Sequence, residues 1–253
     1  MSLAQLALLV GAGLLAGAMN AVAGGGTFVS LPALTAVGLP GTVANATSST
    51  ALLPGSLSSV WAYRRDLYPL EGANTPILAA LSLAGGGVGA VLLLATSEAA
   101  FDLIIPWLLL VATVALAIGP RLNRAMQARG AKARPATIYA VQFALGVYGG
   151  YFGGAVGLMM LAAWTLFSGA DIIRVTPLRA VMVAAANTIA VFLFIASRNV
   201  DWPGALAVMA GAITGGYLGA QVGRRLPPLV FRALVLIVTI GTTAAFFWRA
   251  YGR

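Results

Sequence analysis

Residues 23–65 read AGGGTFVSLPALTAVGLPGTVANATSSTALLPGSLSSVWAYRR. The stretch is apolar enough to lie in a bilayer, yet Gly24-Gly25-Gly26, Gly38-Leu39-Pro40-Gly41 and Asn45-Ala46-Thr47-Ser48-Ser49-Thr50 punctuate it with residues that break or cap helices. Backbone groups freed by such breaks are satisfied only by protein or by water in a cavity, so a polar break at membrane depth points to a solute site.

Working outward, the whole chain shares this character. Of its 253 residues 60% are hydrophobic and 8% charged, with a mean hydropathy of +0.94, more apolar surface than a soluble core of this size can hide. An all-α integral membrane protein follows. At about 20 helical residues per span the apolar blocks give about eight transmembrane helices. The net charge of +9 does not indicate nucleic acid, because the basic residues sit in short loops without a stacking platform or recognition motif. Cys and His are absent, which removes thiolate and imidazole chemistry and the usual metal ligands. No enzyme, cofactor, metal or catalytic residue is expected.

In chain order, span one runs from Leu3 to about Val22, with Gly11, Gly13, Ala16 and Gly17 as a small-residue packing face and Asn20 as its one polar side chain. A half-length helix (about Thr27 to Val37) and a segment from about Ser49 to Tyr63 form one discontinuous span. Two further spans end near Ile118. The segment PRLNRAMQARGAKARP (120–135) is basic without an acid and must lie in water or at a headgroup surface. The second half repeats the order of the first. A shift of 129 places Gly24-Gly25 on Gly153-Gly154 and Thr47 on Thr176, and a shift of 130 places Gly85-Gly86 on Gly215-Gly216. The units expected are residues 1–119, a linker 120–135, and residues 136–253. Eight spans put ten of the fifteen Lys and Arg on one side, so both termini and the linker are expected to be cytoplasmic, with the two four-helix units parallel. A re-entrant half-helix would change the count and invert the pair.

A helix that starts inside the membrane aims free N–H groups and a partial positive charge of roughly half a unit at whatever precedes it, which suits an anion. Thr47, Ser48 and Ser49 are N-cap residue types beside Asn45, and Thr176-Pro177 is a start signal in the second half. Arg174 and Arg179 flank that start, and Arg179, one turn into the helix, is the better candidate for a guanidinium fork on an oxyanion. The ordinary alternative is a pair of loop arginines in water. Polar residues within spans, Asn20, Ser58, Ser59, Gln142, Tyr148, Tyr151 and Asn187, line a route or bond neighbouring helices. The six acidic residues fall at span ends or loops, so no carboxylate relay is visible.

AGGGTFVSLPALTAVGLP, the following ANATSS, Tyr63-Arg64-Arg65, YGGYFGGAVG (148–157), Asp201-Trp202 and GGYLGA (215–220) together resemble the TauE/SafE family of sulfite and organosulfonate exporters. The resemblance implies a multi-pass bacterial inner-membrane protein that exports sulfite, sulfoacetate or related anions. It leaves two other readings in play, an anion channel and a non-transporting scaffold subunit that docks an enzyme on the basic linker. Expected partners are the small anionic substrate and the lipid bilayer, with a homo-oligomer as an open alternative.

Overall fold

In the computed structural model, which describes residues 1–23, 25–127, 134–168, 172–223 and 228–252, the fold is all-helical. Ten helices follow in order: α1 (Leu3–Ala23), α2 (Thr27–Ala36), α3 (Gly41–Tyr63), α4 (Thr75–Ala95), α5 (Glu98–Gln127), α6 (Pro135–Tyr151), α7 (Val156–Ser168), α8 (Ile172–Ala196), α9 (Trp202–Gly223) and α10 (Pro228–Tyr251). Five of the described helices are long and apolar enough to cross a membrane, and α2 and α7 are short apolar helices. At about 1.5 Å per residue, the ten residues of α2 reach only half-way through a 30 Å hydrocarbon layer.

The α2 break has a local cause. Gly38 takes a left-handed conformation (φ 99°), its N–H bonds back to the Thr35 carbonyl, and the Leu39 N–H bonds to Leu34. That is a Schellman stop, and Pro40 then begins a new direction. At the other end of α2, Gly26 sits against the Ala16 carbonyl and Asn20 of α1, while Leu34 reaches Gly204 at the start of α9. α2 therefore folds back along α1 as a hairpin. The expected single broken span of α2 and α3 is corrected: α3 starts where α2 ends and runs the opposite way. Its first turn is capped by a distant side chain, because Glu98 accepts hydrogen bonds from the N–H and hydroxyl of Thr42.

Small residues set the helix packing. Gly13 and Gly17 of α1 lie against Val208 and Ala212 of α9, and Gly85 and Gly89 of α4 lie against Phe143 and Val147 of α6. A methyl group at any of these glycines would collide with backbone, so the helices approach as closely as membrane helices can. Both seams are parallel, since rising numbers in one helix meet rising numbers in the other.

These contacts fix the direction of every helix. α1, α3, α5 and α9 start, and α4, α8 and α10 end, at one face, where Glu98 meets Thr42, the Asp201 N–H donates to Thr47 Oγ1, and Tyr251 donates to the Leu103 carbonyl. This face, holding both Leu3 and Tyr251, is called the terminal face. The end of α5 and the start of α6 lie at the opposite, linker face. The expectation that both termini share a side with the basic linker is thus corrected, because α1 starts and α10 ends at the terminal face while α5 ends and α6 starts at the opposite one. Helix for helix, the second five run in the direction opposite to the first five.

Candidate functional site

The starts of α2 and α7 meet in the middle of the molecule. A Cβ on Gly153 would lie 3.3 Å from Ser49 Oγ and 3.9 Å from Thr27 Oγ1, and the rings of Phe28 and Phe152 meet edge to face at 6.1 Å. The α6–α7 turn is strained: Gly153 has φ 76°, and Ala155, with a side chain, has φ 57°. Left-handed geometry at a non-glycine costs about 1–2 kcal/mol and persists where the surroundings enforce it.

A cavity of about 60 Å³ extends from these tips toward the linker face. At roughly 10–15 Å³ per water it holds about four waters or a solute of a few heavy atoms. α1 contributes Asn20; α2 contributes its first residue, Thr27; α7 contributes its first two, Val156 and Gly157, with Gly153 before them. α3 lends Ser49, Leu52, Ser56 and Ser59, and α8 lends Arg179, Ala180, Val183 and Asn187. Ser49, Leu52, Ser56 and Ser59 form one helix face at spacings of three and four residues, as do Ala180, Val183 and Asn187, with Arg179 beside them.

Arg179 is the charged group of the cavity. Its Nε is buried without a hydrogen-bond partner, and its Nη1 lies 3.2 Å from where a Gly157 side chain would begin. None of the lining residues is acidic. An unpaired buried cation is costly, and an anion in the cavity relieves that cost. The first turn of α7 adds to it: among the described residues no backbone bond is seen for Val156 N or Gly157 N, two lining residues at the positive end of a helix, whereas in α2 the Phe28, Val29 and Ser30 N–H groups are bonded to the Gly25 and Gly26 carbonyls.

Of the residues singled out from sequence, Asn20, Ser49, Ser59, Arg179 and Asn187 line this cavity. The others do not, and the positions of Thr47, Ser48 and Thr176 correct the expected N-caps. Ser48 hydrogen-bonds Ser30 Oγ at 2.6 Å, Thr47 accepts from Asp201 N at 2.9 Å, and Asn45 donates to the Tyr151 carbonyl at 2.7 Å. All three are fully buried in mid-α3, two turns and more from its start at Gly41 in the case of Ser48 and Ser49. Ser58 is exposed and bonds the Gly55 carbonyl; Thr176 lies inside α8, which starts at Ile172 rather than at Pro177. Arg174 is exposed in the first turn of α8. Gln142 is buried between Ser82 (2.7 Å) and Trp164 (2.9 Å), and the hydroxyls of Tyr148 and Tyr151 go to the Leu108 carbonyl and Thr96.

Sequence reasoning passed over Thr27, Ser56, Gly153 and Gly157 as lining residues. The signal was there in the period of α3: Ser49, Leu52, Ser56 and Ser59 fall on one stripe once the helix is known to be continuous from Gly41. The helix starts that meet are those of α2 and α7, not the starts expected at Thr47–Ser49 and Thr176.

The family model described as sulfite exporter TauE/SafE matches residues 9–246. The chain is 26% identical to the probable membrane transporter protein YfcA of Escherichia coli (strain K12), over 95% of this chain and 88% of that protein. It is 26% identical to a probable membrane transporter protein of Haemophilus influenzae (94% and 93% covered) and 25% identical to the probable membrane transporter protein ORF9 of a Sinorhizobium species (93% and 89%). With a match that reaches into all ten helices, the chain belongs to the sulfite exporter TauE/SafE family of membrane transporters.

Proposed function

We propose that this protein exports a small sulfur-containing anion, sulfite, sulfoacetate or a related organosulfonate, across the bacterial inner membrane, and that the anion sits between Arg179 and the first turns of α2 and α7. The observation that carries the reading is Arg179: a guanidinium with a buried, partnerless Nε in a cavity without a carboxylate. Ser49, Asn20 and Asn187 supply hydroxyl and amide donors beside it. Acceptor-only oxyanions match that set of donors.

The two halves, running in opposite directions, read as an inverted repeat of five helices each, an arrangement used by carriers that work by alternating access. With this topology Arg64, Arg65, Arg121, Arg124, Arg134, Arg174 and Arg232 fall at helix ends on the linker face, against Arg198 and Arg249 on the terminal face, among the described residues. Positive-inside bias then makes the linker face cytoplasmic and the cavity cytoplasm-facing. Outward movement of an anion from a negative interior is favoured by about 2.3 kcal/mol per charge per 100 mV, so export proceeds without a coupling cation.

The test is flux of labelled sulfite, with sulfoacetate, taurine, thiosulfate and sulfate as competitors, in proteoliposomes carrying wild type or Arg179→Gln. Flux that depends on Arg179 and shows trans-stimulation is expected. Undiminished flux in the folded variant removes Arg179 from the site, and flux without trans-stimulation assigns a channel instead.

A further inference from the structure

The cavity lies on the linker side of the hairpin tips, and the reason lies in residues that differ between the two halves. At the shift of 129, Phe28 corresponds to Gly157, Phe152 to Ala23 and Arg179 to Thr50. On the linker side of the hairpin tips the glycine leaves space for a guanidinium. On the terminal side the space is filled: Phe28 and Phe152 are at most 1% exposed, Tyr148 packs edge to face on Phe152 at 5.8 Å, and the same cluster takes in Phe101 and Phe194.

One hydrogen bond ties this layer to α3. Asn45 Nδ2 donates to the Tyr151 carbonyl, the last of α6 before the strained turn, while Asn45 Oδ1 is buried without a partner. A half-satisfied buried amide is a weak point in an otherwise well-bonded region, since its second polar group gains a partner only if the contact opens or water enters. The amide thus holds the tip of the α6–α7 hairpin while leaving a gain available on its release.

We propose that Phe28 and Phe152, held by the Asn45–Tyr151 hydrogen bond, are the gate through which the solute leaves to the terminal face. Separation of the two hairpin tips parts the rings, wets Asn45 Oδ1 and exposes the site to that side. This rests on the reading of the Arg179 cavity as the solute site, and the test separates the two.

The chain is free of cysteine, so single cysteines report accessibility without further changes. Val183→Cys, an apolar lining position, is treated with a membrane-impermeant sulfonated maleimide in vesicles of either orientation. Labelling from the linker face at least tenfold faster than from the terminal face is expected. Adding Phe152→Ala, or the milder Asn45→Ala, raises the terminal-face rate tenfold or more. Equal rates from both faces in Val183→Cys, or an unchanged terminal-face rate in either monodisperse, fully helical second-site variant, overturns the gate while leaving the site reading intact. Labelling from neither face overturns both.

Discussion

The start of α2 and the start of α7 are equivalent places with opposite fillings. Phe28 stands in one and Gly157 in the other, and one side of the hairpin tips is dry and aromatic while the other holds an unpaired guanidinium in a polar cavity. The difference teaches that two helix hairpins supply the frame, whereas a few side chains decide which of them stands beside the charge. A fully symmetric pair would carry the same filling on both sides; here the aromatic rings stand on one side and the guanidinium on the other.

The comparison is broken most severely by copying one tip into the other. Gly157→Phe places a ring where the guanidinium lies and is expected to abolish anion-dependent thermal stabilisation, a loss of about 100-fold or more in affinity, with helical content retained; such overpacking costs about 1–3 kcal/mol of stability. Arg179→Gln comes next. Truncating one partner of a buried charge pair costs about 2–5 kcal/mol, so affinity for sulfite, read from the concentration dependence of melting, falls about 30-fold or more. The melting temperature of the ligand-free variant should hold or rise, because an uncompensated buried charge is gone. A drop in ligand-free stability instead would mean that Arg179 is paired in the resting protein.

Smaller changes sharpen the comparison. Gly157→Ala, whose methyl meets Nη1 at 3.2 Å, shifts the guanidinium by a few tenths of an ångström and should weaken binding about tenfold. Asn187→Ala should cost about 3- to 10-fold in affinity, one lost hydrogen bond of about 0.5–1.5 kcal/mol, whereas Ser58→Ala at the equivalent exposed position should cost nothing. Thr47→Ala, which loses the bond from Asp201 N, should lower stability by about 1 kcal/mol in thermal melts and leave anion affinity unchanged.

Much of this was legible in the chain. The all-helical class, the half-length piece at Thr27 and the small-residue face of α1 follow from apolar runs punctuated by glycine and proline. Arg179 stood out because charge inside an apolar segment is expensive and so signals a role. The caps were misplaced at Thr47–Ser49 and Thr176 because serine and threonine satisfy their own hydroxyls within a helix as readily as they start one. Thr50 Oγ1, bonded to the Ala46 carbonyl at 2.8 Å, shows how. The topology was misassigned for a different reason: hydropathy measures length and apolarity but not direction, and a ten-residue helix reads the same whether it completes a crossing or turns back.

By itself, the sequence determined a helical membrane protein whose apolar runs are broken by glycine and proline, and it singled out Arg179 as a candidate site residue, since composition and spacing act locally and leave bilayer-compatible backbone little choice. Only the tertiary structure decided that the hairpins reverse, that the halves oppose one another, and that Arg179 faces Gly157 rather than the linker-face solvent. Those outcomes depend on contacts between residues more than a hundred positions apart, such as Asn45 with Tyr151 and Thr47 with Asp201, whose energies exist only once the helices have met.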